Sequence, residues 1–147
     1  MKRMLRLGVL LVVACTAWLP SAEATPPTPV TITIDQHLTG PTTLAGTFTA
    51  SGAISDSGDY AEEFRLAPSG AIQGTKTLTS PLGSITLRSV GRLVFTGPTT
   101  AEIEGRWVIL SGTGAYSRLH GQGSTTVSVD FETGTAVAIH EGVAHFD

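Results

Sequence analysis

The sequence predicts an all-β fold of about eight antiparallel strands, a sandwich or, by preference, a single closed eight-stranded barrel, and three observations lead there. Apolar residues alternate with polar ones over short runs, which is the period of a half-buried strand. Glycine and proline separate those runs at short intervals, as tight turns require. The only cysteine, Cys15, lies in an apolar N-terminal stretch, so the remainder has no disulfide to stand in for a core. Its stability must come from buried apolar surface and sheet hydrogen bonds, which favours closing the sheet.

The first 24 residues read as an export signal rather than as part of the fold. Lys2, Arg3 and Arg6 are basic, Leu7 to Ala14 is apolar, and Ala22-Glu23-Ala24 is a small-x-small cleavage site. The apolar run is shorter than the roughly 20 residues a bilayer-spanning helix needs. Pro20, Ser21 and Glu23 then argue against a retained anchor, so a cleaved signal peptide and a secreted product are expected. Val12-Val-Ala-Cys15 resembles a degenerate lipobox and supports an alternative, lipid anchoring through Cys15. Against that alternative, Cys15 sits early, after a short apolar run.

Cleavage after Ala24 leaves 123 of the 147 residues, enough for one domain with one core. It removes Lys2, Arg3, Arg6 and Glu23, leaving six basic against eleven acidic residues and a net charge of −5. A mildly acidic chain without a basic cluster is a poor partner for nucleic acid, whose phosphates call for grouped Lys and Arg.

Residues 25–29, Thr-Pro-Pro-Thr-Pro, form an extended spacer before the barrel domain, residues 30–147. Val30, Ile32, Ile34 and Leu38 share one parity of a first strand, which Gly40-Pro41 ends. A second strand runs from Gly46 to Ile54, and Asp56-Ser-Gly58 reads as the turn after it. Asp59 to Leu66 carries Tyr60, Phe64 and Leu66 on one parity, followed by the Pro68-Ser-Gly70 turn. Ala71 to Thr79 and Gly83 to Thr96 form a hairpin, with Gly91 marking a bend or bulge in its long second strand. Thr100 to Ser111, His120 to Phe131 and Thr135 to Phe146 complete the set, the last two joined at Glu132-Thr-Gly134.

The most distinctive stretch runs from Gly105 to Gly123. Trp107-Val-Ile-Leu110 is a strand, Ser111-Gly-Thr-Gly114 a turn, and Ala115 to Leu119 has room for one helical turn before Gly121 and Gly123 open the next strand. With Tyr116 and Leu119, these residues resemble the superfamily of small β-barrels that includes allene oxide cyclases and dirigent proteins. Gly46-Thr-Phe48 and Gly52 to Gly58 fit the early hairpin of such barrels. The resemblance covers about 19 residues, implies an eight-stranded barrel, and carries over no catalytic position.

No serine sits in a G-x-S-x-G elbow, and Gly112-Thr-Gly114 lacks the third glycine and the βαβ setting of a dinucleotide fingerprint. His140 and His145 lie five apart, on opposite faces of a strand, and no metal-ligand spacing links them to His37 or His120. No metal and no cofactor are therefore expected. Glu102, Glu104 and Arg106 share a parity and read as a solvated charge ladder. Candidates for lining a barrel cavity are Tyr60, Arg65, Arg88, Tyr116 and His120, with Tyr116 read first as an anchor of the Gly-Thr-Gly turn.

Three functions fit this pattern. The first is a non-catalytic secreted module that binds a small apolar or aromatic ligand in the barrel. The second, motivated by the resemblance, is a cyclase, an isomerase or a dirigent-like guide acting in the same cavity. The third is a structural or interaction protein of the cell envelope, a homo-oligomer in one version. Ionisable groups converging inside the barrel would favour the second over a purely aliphatic lumen.

Overall fold

The computed structural model describes residues 23–147. The expected signal peptide and Cys15 thus lie outside the described residues, apart from Glu23 and Ala24 at the expected cleavage site. Eight strands, β1 (Thr28–Gly40), β2 (Thr43–Gly52), β3 (Asp56–Leu66), β4 (Ala71–Ser80), β5 (Gly83–Phe95), β6 (Thr100–Gly112), β7 (Leu119–Asp130) and β8 (Thr135–Phe146), form an antiparallel barrel in sequence order. Closure comes from β1 against β8, in register from Thr28 opposite Ala144 to His37 opposite Thr135. Among the described residues no helix is long and apolar enough to cross a membrane.

Alternation decides what fills the barrel. Val30, Ile32 and Ile34 of β1, Phe48 and Ala50 of β2, Leu78 of β4, Ile85 and Leu87 of β5, and Trp107 of β6 all point inward and are buried. They pack one half of the lumen solid. Ile54, in the β2–β3 connection, and Tyr116 and Leu119, at the β6–β7 connection, close that end. The charge ladder Glu102, Glu104 and Arg106 lies exposed on the outer face of β6, as its parity requires.

The β6–β7 connection contains a single 3-10 turn, Gly114–Tyr116. Only Gly114 of the two turn glycines takes a positive φ, 58°, where a side chain would be strained. Tyr116 is 4 % exposed and donates its hydroxyl to Oδ2 of Asp56, which also accepts a 2.5 Å bond from the Ser80 hydroxyl. One carboxylate thereby joins the start of β3, the end of β4 and the 3-10 turn. Burial pushes the Asp56 carboxyl up, but the bonds from Ser80, Tyr116 and the Ser57 N–H outweigh it and hold the group below its ordinary range. The Tyr116 hydroxyl is pushed up to about 12, by burial first and then by its bond to Asp56.

The structure departs from the sequence reading at several points, beginning with β2, which spans Thr43–Gly52 rather than Gly46 to Ile54. Asp56-Ser-Gly58 is not a turn: Asp56, Ser57 and Gly58 pair with Ala50, Thr49 and Phe48 as the first rungs of β3. Gly58 is needed there because a Cβ would collide with the Thr79 carbonyl oxygen on β4, and the turn falls instead after Gly52 (φ 94°). Gly91 keeps regular register with Gly105, and the β5–β6 irregularity lies between Thr86 and Leu87. β1 starts at Thr28, inside the stretch read as spacer, and Thr25 bonds to Phe146, so this lead-in is tied to the barrel.

Tyr116→Phe keeps the ring packing and removes one bond to a carboxylate. A loss of about 1.5–3 kcal/mol is expected, read as a lower midpoint in chemical denaturation with an unchanged slope. An unchanged midpoint would show that the closed end is held without that bond.

Candidate functional site

The other half of the lumen is not filled. At the end formed by the β1–β2, β3–β4, β5–β6 and β7–β8 connections the barrel opens into a cavity of about 340 Å³. Its wall is apolar, with Leu44, Phe64, Ile72, Leu93, Ile103 and Val127 among the lining residues. Leu38, Leu66 and Phe131, all more than 40 % exposed, form an apolar rim. Phe131 stacks at a tilt on Phe95, their ring centroids 5.7 Å apart. Apolar side chains left in water around an opening are the usual mark of a ligand mouth.

The cavity is polar only in part, through residues that include Gln36, Glu62, Lys76 and Thr125. Glu62 on β3 and Lys76 on β4 are direct cross-strand partners, so both side chains enter the lumen together. Their Oε2 and Nζ atoms are 3.0 Å apart, with the side chains 6 % and 3 % exposed. Tyr60, one inward position earlier on β3, donates its hydroxyl to the same Oε2 and accepts a 3.1 Å bond from Lys76 Nζ. Gly74 makes room for this cluster, because a Cβ there would collide with Glu62 Oε1.

Charge and burial shape the chemistry of these groups. Burial lowers the affinity of the Lys76 amine for its proton, and the Glu62 carboxylate offsets this only in part. Burial raises the pKa of the Tyr60 phenol, and the adjacent Glu62 carboxylate raises it further. Tyr60 therefore acts as a hydrogen-bond donor rather than a phenolate. A lysine ammonium has three N–H groups. Tyr60 and Glu62 engage two of them, which leaves one for a ligand.

On the far side of the lumen, His140 is fully buried, its Nδ1 3.1 Å from the Thr125 hydroxyl and its ring 6.0 Å from that of Trp107. Its Nε2 has no partner, and neither does Oε1 of Gln36. The ring is neutral: burial, and after it the charge on Lys76, pushes its pKa down to about 3. Buried polar atoms without partners are uncommon, and that of Gln36, which lines the cavity, is available to whatever fills it.

The five residues proposed from sequence do not converge. None lines this cavity, although the hydroxyl of Tyr60 joins two residues that do. Arg65 and Arg88 fall on the outward parity of β3 and β5 and flank a shallow external groove with Glu63 and Thr75. Tyr116 is buried at the closed end. His120 is outside, stacked at 5.5 Å on its cross-strand partner His145, with Nε2 2.6 Å from Asp147 Oδ2. Among the described residues no group of three acidic, histidine or cysteine side chains is arranged to hold a metal. Sequence reasoning missed Gln36, Glu62, Lys76, Thr125 and His140, although parity held a clue: Glu62 lies between Tyr60 and Phe64 on the apolar face of its strand.

The chain matches no protein-family model, no curated protein and no solved structure. The barrel and its cavity are thus the observations from which function has to be read.

Two outcomes follow from these buried charges. His140 has a folded pKa below its unfolded value, so its contribution to stability is present above about pH 6.5 and lost as pH falls toward about 3. Stability should drop by up to about 1.4 kcal/mol per pH unit across that window, and denaturation of His140→Gln as a function of pH should show a flatter profile. Lys76→Met strands a buried carboxylate and should cost about 3–5 kcal/mol, whereas Glu62→Gln combined with Lys76→Met should recover most of that loss. Equal losses in the single and double variants would show that the two charges are not coupled.

Proposed function

We propose that the protein is a ligand-binding barrel that takes up a small, largely apolar molecule carrying one polar group. The observation that carries this reading is the one-ended cavity of about 340 Å³, apolar along its wall and polar at Glu62, Lys76, Gln36 and Thr125. Its size falls in the range of small-molecule sites, roughly 300–1,000 Å³. The apolar body would supply affinity through burial, while Lys76 and Gln36 would orient the polar group. The basic, apolar and small-x-small segments of residues 1–24 support export, so the ligand would be met outside the cytoplasm. The Gly105–Gly123 stretch supports a kinship with the allene oxide cyclase and dirigent barrels.

A second reading is catalytic, and the meeting of Tyr60, Glu62 and Lys76 inside the lumen favours it. These groups could exchange protons with a bound carbonyl or hydroxyl compound. The same cavity serves both readings, and turnover separates them.

Native mass spectrometry of the protein purified from its own culture medium, without refolding, tests the primary reading. An extra mass released on denaturation is expected. So is uptake of the uncharged dye N-phenyl-1-naphthylamine with a rise in fluorescence. Leu93→Trp, which narrows the cavity, should abolish both while leaving the circular dichroism unchanged. A clean apo mass together with no dye uptake would overturn the binding reading.

A further inference from the structure

Lysine occurs twice in the sequence, at Lys2 and at Lys76. Every other cation among the described residues is an arginine, and Arg65, Arg88, Arg92, Arg106 and Arg118 are all exposed. The barrel thus uses arginine wherever a positive charge of a Lys/Arg side chain meets water, and its single lysine stands inside, 3 % exposed, beside an apolar cavity. Ion pairing with Glu62 does not by itself call for lysine, since guanidinium pairs with carboxylate at least as well. What lysine offers and arginine does not is an amine that can lose its proton and act as a nucleophile.

We propose that Lys76 binds an apolar aldehyde or ketone covalently, as an imine formed at the polar end of the cavity. The proposal rests on the cavity being a ligand site and specifies the ligand's polar group as a reactive carbonyl. Glu62 Oε2, 3.0 Å from Nζ, accepts a proton from the ammonium and frees the amine. The amine attacks the carbonyl carbon, a C–N bond forms, and the nitrogen's proton passes to the oxygen to give a carbinolamine. Glu62 then returns its proton to that hydroxyl, the C–O bond breaks and water leaves. The product is a protonated imine beside the Glu62 carboxylate.

Charge makes this product compatible with the site. Before the reaction the lumen holds one ammonium and one carboxylate, and afterwards one iminium and one carboxylate. No uncompensated charge is buried at either end. Tyr60, within hydrogen-bond reach of both Lys76 and Glu62, donates to the carboxylate and holds it in place as the counter-ion. Burial, which already weakens the amine's hold on its proton, favours the first step. The apolar wall limits the water available to hydrolyse the imine.

Having a single lysine in the barrel makes the test direct. The native protein is incubated at neutral pH with decanal and cyanoborohydride, then analysed by intact mass and peptide mapping. Binding of 1-decanol, which has the same chain but no carbonyl, is followed in parallel by displacement of N-phenyl-1-naphthylamine. The expected result is one adduct on Lys76, with the mass of the aldehyde less one oxygen, blocked by excess 1-decanol. Labelling at Lys76 should outpace the α-amino terminus by roughly ten-fold, inverting the order of an α-amino group near pKa 8 and an ordinary lysine near 10.4. Lys76→Arg should form no adduct within the barrel.

If 1-decanol displaces the dye but Lys76 is labelled no faster in the native protein than in urea, the imine proposal falls and the cavity reading stands. If 1-decanol does not displace the dye and decanal leaves Lys76 unlabelled, both fall. Labelling of Lys76→Arg at the wild-type rate would locate the reaction at the terminus and overturn the proposal. Should Lys76→Arg not fold, the comparison of native with urea-unfolded wild-type protein decides the matter alone.

Discussion

The pairing of β1 with β8 is the constraint on which the rest of the structure depends. Seven hairpin contacts between successive strands form locally, but the eighth joins residues more than a hundred positions apart, as with Thr28 opposite Ala144. Until it forms, the sheet has two unpaired edges and no interior. Once formed, it separates an inside from an outside and commits each strand's parity to one of them. Trp107 is then buried while its neighbour Val108 is exposed, a distinction that neither residue's own chemistry imposes.

Closure also creates the tension between packing and binding. An eight-stranded barrel has about enough width for its own side chains or for one small ligand. Here the two uses are divided along the axis. Ile32, Ile34, Phe48, Leu78, Ile85 and Leu87 fill the closed half, while the open half keeps its space. The Asp56 carboxylate, shared by Tyr116 and Ser80, holds the closed end together across three elements. The polar cluster of Tyr60, Glu62 and Lys76 faces the cavity. Its cost is tolerable because each of its charges has a partner, and Gly74 provides the volume for Glu62.

Much of the fold was legible because strand alternation and turn chemistry are local. β8 falls at Thr135–Phe146 as read, and single-residue differences set the ends of β4 and β7. Boundaries shifted where a glycine had a packing role that looks like a turn signal. Gly58 continues β3 as a glycine because the Thr79 carbonyl of β4 occupies the space its side chain would take, a fact about a neighbouring strand. The resemblance read in Gly105–Gly123 agrees with an eight-stranded barrel, and that architecture is what the structure shows.

The site was far less legible. Tyr60 was singled out for its type and Arg65, five positions on, for its charge, but residues an odd number apart on one strand face opposite sides. Glu62, on the inward parity, was not among the cavity candidates, and Lys76 and His140 have nothing nearby in the sequence to distinguish them. By itself the sequence determined about how many strands there are and where most of them fall, and the absence of a disulfide outside the first 24 residues. Only the tertiary structure decided which parity is interior and that Glu62 and Lys76 meet there with Tyr60. The physical reason is that periodicity is written along each strand, whereas register and closure join residues that are distant in sequence.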